Sequence, residues 1–180
     1  DGSAEVVVDI FASGSSHEMY RGVESGLSED EKEKWLSKIS DLPSFAIESF
    51  LIEPSKSKPE STIKYALTVP RYAAKAGKRL FVPLNPINNW DYVPPKNEKR
   101  SHNIFRRNAF WDRDEIIIDI PQGYQVESVP TEEKRLESEV GYYYIKVLQR
   151  GKQLVVNREL QMQAGEFPAD SYEEMRNFLK

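Results

Sequence analysis

The sequence predicts a mostly β protein: antiparallel sheets packed face to face as one or more sandwiches, with a helix after the first strand and a short helix at the C-terminus. Three observations lead there. Short segments rich in β-branched and aromatic residues recur along the chain. Turn signals built on Gly, Pro, Ser and Asn separate them. No helical stretch of crossover length divides consecutive strands of the second half, which disfavours a parallel α/β sheet.

Residues Glu5 to Phe11 (EVVVDIF) lack helical periodicity and read as the first strand, closed by Ser13-Gly14-Ser15-Ser16. The stretch around Met19, Tyr20 and Arg21 fits neither period. Ser28 and Glu31 then match a capping box, and the helix they open carries Trp35, Leu36 and Ile39 on one face. It is expected to stop at Leu42-Pro43, because the residue before proline is pushed out of the α region. Phe45 to Glu53, Thr62 to Val69 and Arg79 to Leu84 read as strands, separated by the polar loop Pro54 to Pro59 and the turn Ala76-Gly77-Lys78. Alternation in Thr62 to Val69 places Ile63, Tyr65, Leu67 and Val69 on one face and Thr62, Lys64 and Thr68 on the other, as a half-buried antiparallel strand requires.

Asn85 to Asn103, with Pro86, Pro94, Pro95 and the charged run Lys96-Asn97-Glu98-Lys99-Arg100, predicts no regular structure and reads as a long functional loop or a linker. A boundary near Arg100 gives a β-rich half with one helix, 1–100, and a small sandwich-like half with a closing helix, 101–180, which pack separately or as one unit. In the second half, Glu115 to Ile120 reads as a strand ended by Pro121-Gln122-Gly123, and Tyr124 to Val129 as another ended by Pro130. Tyr142 to Gln149 and Gln153 to Gln161 flank Arg150-Gly151-Lys152, a hairpin signal. Asp170 and Glu173 match a second capping box, and Tyr172, Met175, Phe178 and Leu179 recur at helical spacing.

Composition bounds the chemistry. The 180 residues are 39% hydrophobic and 30% charged, an ordinary globular balance. With no Cys, disulfide frameworks, thiolate nucleophiles and Cys-based zinc sites are excluded, and two His, His17 and His102, make a multi-histidine metal site improbable. No cofactor is expected. The net charge of −4 gives no general attraction to nucleic acid or an anionic membrane. No apolar run approaches a spanning helix, and Asp1-Gly2-Ser3-Ala4 does not begin a signal segment, so the chain reads as a mature or excised piece.

Candidate chemical sites each meet a plainer reading. Asp112-Arg113-Asp114-Glu115 lacks the spaced ligands of a calcium loop and reads as a solvated loop entering a strand. Lys96, Lys99, Arg100, Arg106 and Arg107, interleaved with His102, Phe105, Phe110 and Trp111, resemble a single-strand nucleic-acid surface. The charge balance opposes that, and a loop with Phe105, Phe110 or Trp111 anchored in the core is preferred. Trp90-Tyr92 and Tyr142-Tyr143-Tyr144 are the candidates for a platform that stacks on a sugar or grips a peptide, with Trp90 and Tyr92 preferred because they lie in a loop. Tyr142 and Tyr144 share one strand face, with Tyr143 on the other, and read first as packing. His17-Glu18 has no nucleophile beside it, so His17 is expected as a surface loop residue. No residue is assigned a catalytic or metal-binding role.

The run 114–130 (DEIIIDIPQGYQVESVP), followed by Gly141-Tyr142-Tyr143, Val156-Asn157-Arg158 and Phe167-Pro168-Ala169-Asp170-Ser171-Tyr172, resembles the C-terminal domain of unknown function that follows the transglutaminase-like core in large bacterial multidomain proteins. In it, Pro121 and Gly123 turn one strand into the next, Tyr124 packs on the core, and Pro130 ends the second strand. The first half is similar to the region between that core and the C-terminal domain. The resemblance implies a non-catalytic accessory module, periplasmic or at the cell surface, whose partner is the Cys-His-Asp core of the same parent chain, with a protein or glycan substrate. The family's catalytic Cys has no counterpart here. The candidate contacts are Trp90, Tyr92, Arg106, Arg107 and Trp111. The alternative is an independent carbohydrate-binding or adhesion module using loop aromatics.

Overall fold

The computed structural model describes residues 2–38, 42, 44–88, 90, 92–97, 99–130 and 132–180. Of these, 44% lie in strands and 18% in helices, and the sheets are antiparallel, with no barrel. The chain forms two compact units, Asp1–Asn89 and Trp90–Lys180.

The first unit is built on a three-stranded sheet in the order β1 (Ala4–Ser13), β3 (Glu60–Val69), β2 (Ala46–Pro54), with β3 in the centre. The alternation of β3 buries Ile63, Tyr65, Leu67 and Val69, and Ile52 of β2 and Ala12 of β1 join them. Each large apolar side chain removed from water contributes roughly 1.5–3 kcal/mol, so this one face accounts for most of the unit's cohesion. Helices cover that face. Helix α2 (Glu29–Leu36) begins at the expected capping box, where the Glu31 carboxylate accepts the Ser28 backbone N–H at 2.9 Å. It buries Leu36 and sets the Trp35 ring edge-on to Tyr20, 5.8 Å between centroids. Ile39, expected on the same helix face, and Pro43, expected to end the helix, lie outside the described residues. The hairpin β4 (Ala74–Ala76) and β5 (Arg79–Phe81) turns at Gly77, whose φ of 61° is open to glycine without strain.

One element was not anticipated. Where a turn and an ambiguous stretch were expected, α1 runs from Ser15 to Gly26. Its inward face is His17, Tyr20 and Val23, at spacings of three, and a polar member in so short a stripe breaks the apolar pattern by which amphipathic helices are recognised. The buried ammonium of Lys32 in α2 holds α1 in place, 2.9 Å from Glu24 and 2.8 Å from Glu29.

The second unit contains a four-stranded sheet in the order β7 (Phe110–Asp119), β10 (Gln153–Met162), β9 (Gly141–Arg150), β8 (Lys134–Ser138). A two-stranded pair, β6 (Ile104–Arg106) with β11 (Gly165–Phe167), accompanies it. Gly151, at φ 61°, closes the β9–β10 hairpin. One face of the larger sheet is core, with Leu154, Val156, Leu160 and Met162 of β10 buried. A further cluster gathers Ile104, Val140, Phe167, Tyr172 and Met175, the last two from the closing helix α3 (Tyr172–Phe178).

Three expectations are corrected here. Tyr124 to Val129 forms no strand, and the position beside β9 belongs to β8. The charge-rich sequence of β8 concealed it, since an edge strand needs few apolar residues. Strand β7 starts at Phe110, not Glu115, so the acidic cluster is strand rather than loop, and Asp114 ion-pairs with the buried Arg158 of β10. Finally, α3 begins through a single 3-10 turn at Ala169–Ser171 with no side-chain cap, so the Asp170/Glu173 capping box is absent.

Candidate binding surface

The buried polar groups of the first unit connect elements. His17, 3% exposed, meets the Ser61 hydroxyl at 2.8 Å through Nδ1, joining α1 to β3. It is therefore a buried helix residue, not the surface loop residue expected from sequence. Its Nε2 is 3.9 Å from Glu18, which lies in the solvent, paired with Arg21. The Arg21 hydrogen bond holds the Glu18 carboxyl below its ordinary range. Neither His17 nor Ser61 is open to a substrate.

In the second unit, the sequence-predicted contacts fall into separate places. Trp90, 40% exposed, stacks on Phe110 with centroids 5.9 Å apart, and its indole N–H donates to the Tyr92 carbonyl at 2.7 Å. The Arg106 guanidinium lies 5.2 Å over the same Phe110 ring. Burial lowers the Arg106 pKa, and its Nε has no partner among the described residues. Tyr92, 61% exposed, offers its ring to solvent, as Arg107 does its side chain. Of the three aromatics, one of which was expected to anchor in the core, Phe105 is 75% and Trp111 57% exposed, while Phe110 is half-buried and stacked with Trp90. Phe105 and Trp111 sit on strands, β6 and β7, whose alternation turns them outward.

Pro94, Pro95 and Arg100 are held by α3. Arg176 Nε donates to the Pro94 carbonyl at 2.7 Å, the Tyr172 hydroxyl to Pro95 at 2.8 Å, and the Arg100 guanidinium lies 4.7 Å over the Tyr172 ring. The Pro121-Gln122-Gly123 turn is closed by Tyr124 N–H donating to the Pro121 carbonyl at 3.1 Å, with Gly123 at φ 85°. Tyr124 is half-buried and Pro130 exposed.

The solvent face of the four-stranded sheet is the arrangement that sequence reasoning missed. Register aligns Trp111 of β7, Gln161 of β10 and Tyr142 of β9 in one row across it. The next row holds Arg113, Glu159, Tyr144 and Arg135. Arg113 lies 4.4 Å over the Trp111 ring and Arg135 5.2 Å over Tyr144, contacts that fix ring orientation before any ligand arrives. The signal was present in the alternation of Tyr142 and Tyr144. Trp111, though a candidate contact, was expected in a loop, because β7 begins at Phe110, six residues before its Ile116–Ile118 run.

Among the described residues, no group of three or more His, Asp or Glu converges as a metal site, and no helix is long and apolar enough to cross a membrane. No curated protein and no solved structure matches the chain. The family model described as "Domain of Unknown Function with solved-structure structure (DUF3858)" matches residues 78–180, more than half of the sequence. It spans the whole second unit, including the sheet and closing helix described above. The chain belongs to the DUF3858 family.

Proposed function

We propose that the chain is a non-catalytic accessory module of a transglutaminase-like protein, acting by binding the core or its substrate rather than by chemistry. The observation that carries this reading is the placement of its polar groups. Those with chemical potential that are buried, His17 with Ser61, Lys32 with two glutamates, Arg158 with Asp114, are engaged in joining one element to another. The groups that face solvent include exposed aromatic and guanidinium side chains, the residue types enriched where proteins make contacts. The motif run 114–130 supports the transglutaminase-associated context, and that context supports a bacterial, periplasmic or cell-surface setting. The alternative platform built on Trp90 and Tyr92 has weaker support, because the Trp90 indole N–H is already bound to the Tyr92 carbonyl and Trp90 is less exposed than Trp111.

The full reading frame tests the context directly. A Cys-His-Asp core encoded upstream of this segment is the expected result, and a frame that encodes none would overturn it.

A further inference from the structure

We infer that the solvent face of the four-stranded sheet, centred on Trp111, Tyr142 and Tyr144, binds an extended, uncharged polysaccharide. The inference rests on the reading of the chain as a binding module, but not on a transglutaminase-like parent.

Geometry supplies the first argument. Trp111 and Tyr142 project from strands on either side of β10, in one register row, so their Cα atoms are separated by two interstrand spacings, about 10 Å. That distance suits rings stacking on alternate pyranoses of an extended chain. The apolar C–H face of a pyranose packs against the electron-rich face of an aromatic ring, and its hydroxyls point sideways, in need of partners. Gln161 lies between the two rings and Asn157 lies on the same face, and neither side-chain amide has a partner among the described residues. An amide donates and accepts at once, which is what a hydroxyl requires.

Charge supplies the second. On the rows around the rings, Arg113, Arg135 and Lys146 stand against Glu115, Glu133, Glu137 and Glu159, with Glu133 paired to both Arg135 and Lys146. The anions outnumber the cations by one, so the face holds no positive field for a nucleic acid or an acidic polysaccharide. A neutral ligand is not penalised by that charge. The opposite face of the sheet is core, so the rings have only this side to offer. Preorganisation is the third argument: one guanidinium already packs on one face of Trp111, which is still 57% exposed, so the ring is held in place and less entropy is lost when a ligand settles on its remaining surface.

Affinity electrophoresis of the full chain through gels containing β-mannan, xylan, mixed-linkage β-glucan or dextran, with heparin as the charged comparison, reads the inference out. Retardation by at least one neutral polysaccharide is expected. It should fall at least tenfold in apparent affinity with Trp111→Ala or Tyr142→Ala and survive Phe105→Ala and Tyr92→Ala. Each variant is compared by thermal unfolding, and Trp111→Tyr, which keeps a ring at the same place, should retain most of the binding. No retardation by any neutral polysaccharide overturns the inference, as does retardation that Trp111→Ala leaves intact, or binding to heparin alone that fades with salt. If these glycans fail while removal of the segment still impairs the parent's turnover, the accessory reading stands and the polysaccharide assignment falls.

Discussion

At the scale of single residues, burial and pairing set the consequences. The His17–Ser61 hydrogen bond is enclosed on both sides, so Ser61→Ala leaves a ring nitrogen without a partner where water cannot replace it. The cost is about 1–3 kcal/mol, read as a lower urea midpoint at unchanged m-value. A His17→Leu, Ser61→Ala double variant should lose less than the sum of the single losses, since the two groups share one interaction; strict additivity would mean the bond contributes nothing. Tyr65 gives a second test. Burial pushes its hydroxyl up to about 12 from an ordinary 10.0, with the nearby Tyr20 adding to the shift. Between those values the unfolded chain has released a proton that the folded chain keeps, so stability is full below pH 10 and declines as pH rises toward 12. Lys32, raised chiefly by its bond to Glu29 and then Glu24, adds a loss of the same sign above its ordinary 10.5. Tyr65→Phe should flatten the decline between pH 10 and 12 without abolishing it; an unaltered profile would show that the hydroxyl is not the cause. His17 also marks where sequence reading stopped, because a lone histidine shows no partner until the fold brings Ser61, 44 residues away, into contact.

At the scale of elements, strands with regular alternation were legible and those that borrow stability from a neighbour were not. β3 announced its buried face through Ile63, Tyr65, Leu67 and Val69, and the Ser28 capping box announced α2. Strand β8 has one half-buried apolar residue, Leu136, and depends on pairing with β9, a non-local fact. The same holds for the first half of β7, where Asp112 and Asp114 are set toward the half-buried side. Arg158 and Asp114 join β10 to β7 there, opposite one another in the register. Arg158→Ala leaves a largely enclosed carboxylate without its cation, a loss of about 3 kcal/mol. Replacing both by leucine should restore most of that stability in urea unfolding. If the double replacement is as unstable as Arg158→Ala, side-chain packing rather than charge pairing explains the site.

At the scale of the whole molecule, the mostly β, antiparallel character and the helices near both ends could be read from pattern alone, because short strands and turn residues are local signals. The platform could not. It needs three strands in register, and its members Trp111, Tyr142 and Gln161 are separated by up to 50 positions in the sequence. The accessory-module reading proposed above places reaction in another part of a parent protein. The most direct test of that account is steady-state kinetics of the full gene product with and without this 180-residue segment, measured on a polymeric substrate. The account predicts a raised KM with kcat largely retained when the segment is removed. Unchanged KM, turnover and core stability would contradict it.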